Sequence, residues 1–262
     1  MQIYSRLKQY YKYLRNWRKL QSRQSAVDDS GALAKKLSFY SQFVKRNDLC
    51  FDVGANIGDK TDLFLRLGAG VVAIEPQESC WRILKRRFKD ENVTVEPVAL
   101  ADKEGSRTLF VDRSHTLATM SQDWIATVKQ SGRFPTHKWA DKFSVQATTL
   151  DALIKKHGKP GFCKIDVEGF ELDVLKGLSQ PVKIISLEFV VERINTSVNC
   201  IDYLSNLGVP RFNYSLGESM TLALPDWVGS DEVKSALTTM AKDIENYGDI
   251  YVRFLDEQKV WS

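Results

Sequence analysis

Residues 51–58 read FDVGANIG, an apolar run that turns at two glycines four positions apart, Gly54 and Gly58. The apolar pattern at 49–53 predicts a strand entering this turn, and the pattern at 62–67 predicts a helix leaving it. A glycine turn between a strand and a helix is typical of nucleoside-binding loops in open α/β sheets. Gly54 lets the backbone turn sharply, and Gly58 lets the helix pack close to the strand.

Asn56 occupies the position at which the dinucleotide fingerprint G-x-G-x-x-G has its middle glycine. That glycine lets a pyrophosphate approach the backbone, so its absence favours an adenosine ligand without phosphate. Asn tolerates the left-handed conformation, so the turn itself is kept. Asp52 places a negative charge before the turn, which suits a cationic ligand such as a sulfonium with an ammonium group. A nicotinamide-dependent oxidoreductase is the alternative enzyme class, and Asn56 argues against it.

Glu75 follows the apolar run 71–74, seventeen positions after Gly58. A carboxylate at the end of the second strand can accept hydrogen bonds from both ribose hydroxyls, as it does in NAD-binding folds. The alternative is that Glu75 only caps the following helix. The spacing favours the ribose role.

Strands and helices alternate along most of the chain. Strands are predicted at 49–53, 71–74, 93–100, 162–167, 183–189, 211–216, 221–224 and 249–254, and helices at 32–44, 62–67, 79–88, 170–178, 200–207 and 231–244. This alternation predicts an α/β fold, a doubly wound and mostly parallel sheet covered on both faces. Residues 105–149 interrupt it with predicted strands at 107–111 and 143–149, and inserted segments of this length usually serve as lids or binding loops.

The basic charge of the chain is concentrated at its N-terminus. The net charge is +4, and residues 1–23 hold seven lysines and arginines but no acidic residue. The remainder has 30 basic and 33 acidic residues, so no nucleic-acid-binding surface is expected on it. Apolar residues at spacings of three and four predict an amphipathic helix in this segment.

Three partners for the helix in residues 1–23 stay open. It could lie peripherally on an anionic membrane, pack on the body of the protein, or form a dimer contact with a second subunit. We divide the chain into an N-terminal helical arm, 1–44, and a domain, 45–262, with the insertion 105–149. The first residues have no apolar segment typical of a secretory signal, so a cytoplasmic location, peripheral to a membrane at most, is expected.

Seven blocks of the sequence resemble the FkbM-type methyltransferases of the class I S-adenosylmethionine-dependent superfamily. The blocks are FDVGANIGDKT (51–61), VVAIEPQ (71–77), VTVEPVALADKEG (93–105), TTLDALI (148–154), KIDVEGFELDVLKG (164–177), IISLEF (184–189) and YGDIYV (247–252). The resemblance implies a Rossmann-like sheet of seven strands with the last strand antiparallel. It also implies S-adenosylmethionine as the cofactor.

The same resemblance implies roles for particular residues. The methionine part of the cofactor would lie against Asp52, Gly54, Ala55, Asn56 and Gly58, and the ribose against Glu75. The adenine would lie between Ala99-Leu100 and Asp102. The reaction implied is O-methylation, often of sugar or polyketide hydroxyls, so the partner would be a small-molecule or carbohydrate acceptor. A non-catalytic binding module with the methyltransferase fold is a second alternative function.

An alcohol acceptor must lose its proton during methyl transfer, so a base is sought near the sheet edge. Asp166 and Glu168 follow one strand at alternate positions, and two carboxylates this close raise each other's pKa. They could instead bind Mg²⁺, although no metal is expected, or Glu168 could reach a helix N-terminus. Glu188, at the end of the next strand, and His115, in the insertion, complete the candidate bases.

The insertion is the natural element to face the acceptor. Its segment 113–142 contains Trp124, Phe134, His137 and Trp139, aromatic side chains with polar edges that suit a sugar ring. The alternative is that these rings pack the insertion onto the domain.

Overall fold

The computed structural model describes residues 30–112, 117–240, 243 and 246–255. Its helices are α1 (Ser30–Tyr40), α2 (Asp59–Arg66), α3 (Glu78–Arg87), α4 (Gln122–Ser131), α5 (Leu150–His157), α6 (Glu171–Leu175), α7 (Ile194–Ser205) and α8 (Ser230–Met240). Its strands are β1 (Leu49–Val53), β2 (Gly70–Ile74), β3 (Val93–Glu96), β4 (Ala99–Leu100), β5 (Gly105–Val111), β6 (Asp141–Thr148), β7 (Phe162–Ile165), β8 (Ile184–Val190), β9 (Pro210–Leu216) and β10 (Tyr247–Phe254).

Seven strands form one central sheet in the order β3-β2-β1-β7-β8-β10-β9. Only β10 is antiparallel, to both β8 and β9, so the predicted α/β sheet with an antiparallel last strand is confirmed. The order runs in one direction from β1 to β3 and in the other from β7 onward. Ligands bind at such a reversal, beyond the carboxyl ends of the strands.

The insertion 105–149 forms a second, smaller sheet. Strand β6 pairs antiparallel with β5 and parallel with the short β4, giving the order β4-β6-β5. Between β5 and β6 lies α4, a helix that the sequence reading did not predict. The sequence does contain residues typical of both helix ends. The Ser121 hydroxyl accepts a hydrogen bond from the Trp124 amide at the N-terminus, and Gly132 ends the helix with a φ of +78°.

Several predicted elements were wrong in their extent. The strand predicted at 93–100 divides into β3 and β4 at Pro97, which has no N–H to donate to a ladder. The strand predicted at 162–167 ends at Ile165, and the helix predicted at 200–207 begins at Ile194. Residues 221–224 are not a strand, because the Asn213 side-chain amide bonds both the N–H and the carbonyl of Leu224 in place of a neighbouring strand.

Residues 30–44, which precede β1, pack onto the sheet. Phe39 and Tyr40 at the end of α1, with Phe43 and Val44 beyond it, are buried against Phe64, Phe162 and Tyr251. Residues 30–44, assigned by sequence to the arm, therefore contribute to the core of the domain. The amphipathic helix predicted in residues 1–23 lies outside the described residues, and the division of the chain at residue 44 stays a prediction. In the part of the chain that is described, no helix has the length and apolar character needed to span a bilayer.

Candidate active site

A pocket of about 380 Å³ opens at the point where the strand order reverses. The loops after β1, β2 and β7 contribute most of its wall, with further residues from the insertion and β8. Of the residues proposed from sequence, it is lined by Asp52, Gly54, Ala55, Asn56, Glu75, Ala99, Leu100, Asp166, Glu168 and Glu188. The topology thus brings together side chains that are up to 136 positions apart in the sequence.

The bend after β1 is held in left-handed backbone conformations. The φ angles of Gly54 and Asn56 are +80° and +50°. A Cβ atom on Gly54 would lie 1.9 Å from the carbonyl oxygen of Asp166, so this position requires glycine on two counts. Both Gly54 and Ala55 donate their amides to the carbonyl of Ile74, which ties the bend to β2.

Gly58 does not line this pocket. Its φ is +93°, and a Cβ atom there would lie 2.4 Å from the Phe88 ring. Gly58 therefore allows close packing between the start of α2 and the end of α3, whereas the sequence predicted close packing of the helix against the strand. The second role implied for it, contact with the methionine part of the cofactor, has no support in this geometry.

Glu75 is buried at the pocket wall with its carboxylate fixed in place. One carboxylate oxygen accepts the Asn56 amide at 2.9 Å, and the other accepts the Gln77 amide at 2.7 Å. A carboxylate has about four acceptor positions, so about two remain for a ligand diol. Burial raises the pKa of Glu75 to about 7, against the effect of the two amide bonds.

Asp52 is buried directly beneath the bend. The Thr61 hydroxyl donates to its carboxylate at 2.5 Å, which joins the end of β1 to α2. Burial raises the pKa of Asp52 to about 6, although the Thr61 hydrogen bond and the Lys164 charge oppose this rise. Asp52 therefore adds negative charge at the floor of the pocket near neutral pH.

The side of the pocket assigned to adenine is apolar. Val98, Ala99 and Leu100 line it. Asp102 is not among the lining residues, because its carboxylate points to solvent and pairs with Arg107 at 3.0 Å. The structure therefore does not bring Asp102 together with the other proposed residues.

Three carboxylates meet at the far side of the pocket. Asp166, Glu168 and Glu188 each offer an oxygen, and these oxygens lie within 4.8 Å of one another. The regular alternation assumed from sequence does not produce this arrangement, since β7 ends at Ile165. Instead Glu168 takes a left-handed conformation, with a φ of +54°, and the Thr119 hydroxyl donates to its carbonyl oxygen at 2.7 Å.

The buried ammonium group of Lys164 contacts this carboxylate cluster. Lys164 donates to Asp249 at 2.8 Å and to Asp166 at 3.2 Å. Burial would raise the pKa of Asp166, but the Lys164 charge and hydrogen bond hold it below its ordinary value. Burial and the Asp166 charge raise the pKa of Glu168 and of Glu188 well above the ordinary value. At neutral pH Asp166 is ionised, and the two glutamates hold protons readily.

Lys164, Asp249 and Glu171 were not among the site residues predicted from sequence. Lys164 could have been identified, since a lysine inside the buried run 162–165 requires a carboxylate partner. Glu171 accepts the amides of Val167 and Gly169, so it fixes the loop after β7 at the start of α6. This role differs from the contact with a helix N-terminus predicted as an alternative for Glu168, since Glu171 is the first residue of α6 and accepts amides of the loop before it.

The aromatic residues of the insertion do not line this pocket. Trp124 and Trp139 are buried in a cluster that also packs against Val190 of β8, and the Trp139 indole donates to the Leu117 carbonyl at 2.6 Å. The insertion reaches the pocket instead through Leu109 and residues 118–120. His115 lies outside the described residues, so its place as a candidate base stays a prediction.

S-adenosylmethionine fits the residues present. Its ribose diol matches the free acceptor positions of Glu75, its adenine matches the apolar wall, and its cationic sulfonium and ammonium match the surrounding carboxylates. Bound there, it supplies an activated methyl group. The fold and this pocket are those expected of a class I methyltransferase that uses S-adenosylmethionine.

The chain belongs to the methyltransferase FkbM domain family, which matches residues 52–238. It is 28% identical over 159 residues to a hexuronic acid methyltransferase, AglP, of Haloferax volcanii, and the match covers 59% of each protein. The chain thus spans about three fifths of that relative's length. Membership of this family removes the nicotinamide-dependent oxidoreductase as an alternative.

Two solved structures have a similar fold. A TehB-like S-adenosylmethionine-dependent methyltransferase from Corynebacterium glutamicum is 10% identical, with a TM-score of 0.47, covering 93% of this chain and 97% of the other. Precorrin-6y C5,15-methyltransferase from Geobacter metallireducens is 11% identical, with a TM-score of 0.44, covering 84% of this chain and 87% of the other.

Proposed function

We propose that this methyltransferase transfers the methyl group of S-adenosylmethionine to a hydroxyl oxygen of a carbohydrate or a related small molecule. The carbon–sulfur bond of the sulfonium breaks as the new carbon–oxygen bond forms. The hydroxyl proton passes to the protein, and S-adenosylhomocysteine leaves. Alignment of oxygen, methyl carbon and sulfur is the main requirement, and such alignment can supply about 7–11 kcal/mol.

The observation that carries this proposal is the carboxylate cluster in the same pocket as Glu75 and the glycine bend. An alcohol is a poor nucleophile until its proton is removed, so an O-methyltransferase benefits from a base beside the methyl donor. Asp166 is ionised at neutral pH and accepts the proton, and Glu168 and Glu188 lie close enough to share it. Lys164 positions Asp166 and keeps it ionised.

The carbohydrate acceptor is supported by the relative that is described as a hexuronic acid methyltransferase. The pocket wall is consistent with a polar acceptor, because Asp166, Glu168 and Glu188 line it in addition to the apolar adenine wall. Carboxylates of this kind accept hydrogen bonds from neighbouring hydroxyls of a polyol.

The test is methyl transfer from tritiated S-adenosylmethionine to a panel of hexuronic acids, neutral hexose glycosides and polyketide alcohols. We expect a methyl ether, which mild alkali does not cleave. A methyl ester would release methanol under the same treatment and would contradict hydroxyl methylation. Binding of S-adenosylhomocysteine without turnover on any hydroxyl compound would instead favour the non-catalytic binding module.

The role of the cluster is tested with Asp166→Asn. We expect kcat to fall about a hundredfold or more, while the affinity for S-adenosylhomocysteine changes little. Asp173→Asn is the matched control, since Asp173 is a solvent-exposed aspartate of α6 that pairs only loosely with Lys176. An equal loss of cofactor affinity in Asp166→Asn would assign Asp166 to binding. Because Lys164 already supplies a positive charge here, we expect turnover to be unchanged by EDTA.

A further inference from the structure

Lys60 lines the pocket but has no role in the chemistry described above. It is the second residue of α2, and its half-buried side chain passes over Tyr40, with the ammonium 5.4 Å from the ring centroid. Its place is fixed by the glycine bend, since Gly58 starts the helix that carries it.

The charges that line the pocket are strongly unequal. Seven carboxylates line it, those of Asp52, Asp59, Glu75, Asp166, Glu168, Glu188 and Glu218, against two ammonium groups. Lys164 is already paired with Asp166 and Asp249. Within the described ranges, no carboxylate oxygen lies within the 4.0 Å ion-pair distance of the Lys60 ammonium. Lys60 is thus the cation of the described pocket wall that remains available to a ligand.

The surroundings of Lys60 keep it charged. Burial would lower its pKa, but Tyr40, Glu218 and Asp249 raise the pKa above its ordinary value despite the nearby Lys164. A half-buried positive charge without a partner within ion-pair distance attracts an anion more strongly than a lysine exposed to solvent does.

S-adenosylmethionine brings such an anion into the pocket in every turnover. The cofactor is an α-amino acid, so its sulfonium and ammonium are accompanied by a carboxylate. The lining carboxylates suit the two cationic groups and repel the anionic one. We propose that the Lys60 ammonium binds a ligand carboxylate in this pocket, with the α-carboxylate of S-adenosylmethionine as the source present in every complex. A carboxylate on an acidic acceptor has the same chemistry and is the second source.

The experiment is a binding cycle with two proteins and two ligands, measured by calorimetry. The proteins are the wild type and Lys60→Met, and the ligands are S-adenosylhomocysteine and its decarboxylated analogue, which keeps the ammonium. We expect the variant to bind S-adenosylhomocysteine about tenfold to a hundredfold more weakly, and to bind the analogue with unchanged affinity. Lys60→Arg should retain most of the affinity, and Lys155→Met, at an exposed position of α5, should retain all of it.

A second arm separates the two sources. Glucuronate and its methyl ester are titrated into each protein saturated with S-adenosylhomocysteine. Weaker binding of glucuronate alone to Lys60→Met, with unchanged binding of S-adenosylhomocysteine, would assign the acceptor as the source. If Lys60→Met binds all four ligands as the wild type does, or loses affinity equally for the ligands with and without a free carboxylate, the proposal is wrong. Thermal unfolding of each variant shows that the comparison is made on folded protein.

Discussion

Glu75 is predicted to link the ionisation of the pocket to cofactor binding. Burial raises its pKa to about 7 in the free protein, and the pKa of the neighbouring Asp52 to about 6. Only the ionised carboxylate of Glu75 offers all its acceptor positions to the ribose diol, so binding below pH 7 must expel a proton. We expect the affinity for S-adenosylhomocysteine to level off above about pH 8, to fall as the pH decreases through 7, and to fall further near pH 6, where Asp52 adds to the effect.

Calorimetry from pH 8 to 5.5 checks this pH dependence. At pH 6.5, titrations in buffers of different ionisation enthalpy should show proton release on binding. Glu75→Gln serves as the control, because an amide cannot titrate. It should bind about tenfold or more weakly at pH 8 and lose the proton release assigned to Glu75. If the affinity of the wild type for S-adenosylhomocysteine does not change from pH 8 to 6, Glu75 does not bind the ribose.

Single residues were predictable from sequence where the backbone alone dictates their identity. The turn after β1 predicts left-handed backbone conformations at Gly54 and Asn56, and both residues adopt them. The arrangement of Asp166, Glu168 and Glu188 could not be derived in the same way. It depends on a loop that leaves the strand pattern after Ile165 and is fixed by Thr119 from the insertion. No local pattern encodes a contact between residues 49 positions apart.

Between elements, the contact of β1 with β7 depends on the absence of a side chain at Gly54. Gly54→Ala combines a positive φ with a Cβ 1.9 Å from a backbone oxygen that cannot move without shifting β7. We expect a loss of about 2–5 kcal/mol in the free energy of unfolding. Gly132→Ala is the matched control, since Gly132 has nearly the same φ, +78°, and no atom within 4 Å of the added Cβ. It should cost only about 1–2 kcal/mol.

Urea unfolding of the two variants measures this difference. Equal losses would show that backbone strain alone accounts for the Gly54 requirement, and that the close approach of the β7 loop has no energetic consequence. The residual S-adenosylhomocysteine affinity of Gly54→Ala, measured under folding conditions, then reports whether the bend itself is needed for binding.

The strands of the central sheet were more predictable than the insertion for a physical reason. Strands buried on both faces give continuous apolar runs, so β1, β2 and β8 stand out in the sequence within one residue of their ends. Helix α4 packs against the small second sheet and the end of β8, and its apolar residues Trp124, Ile125 and Val128 lie in a mostly polar segment. The features of the sequence that could have predicted this helix are the N-cap residue Ser121 and the terminating glycine Gly132.

In the whole molecule, the described residues before β1, 30–44, pack into the core of the domain. Phe43 is buried between Tyr251 and Phe162, with ring centroids 4.8 Å and 6.0 Å away. We expect Phe43→Ala to lower the free energy of unfolding by about 3–5 kcal/mol, measured by urea denaturation. Leu33→Ala in α1, whose side chain is only partly buried at the edge of the same cluster, should cost less. A negligible effect of Phe43→Ala on the free energy of unfolding would instead support the predicted assignment of residues 30–44 to the N-terminal arm.

Residues 1–23 are expected to act through their charge and not through the pocket. Seven basic residues without an acidic one give this segment a charge opposite to that of the remaining chain. Each basic residue near an anionic bilayer contributes about 1 kcal/mol, a contribution that salt screens. Deletion of residues 1–23 should therefore leave S-adenosylhomocysteine affinity unchanged and abolish co-sedimentation with phosphatidylglycerol vesicles at low salt. Phosphatidylcholine vesicles are the control lipid. If the wild type binds neither lipid but the deletion converts a dimer to a monomer in light scattering, the segment is a subunit contact. If neither property changes, packing on the body of the protein is the predicted alternative that remains.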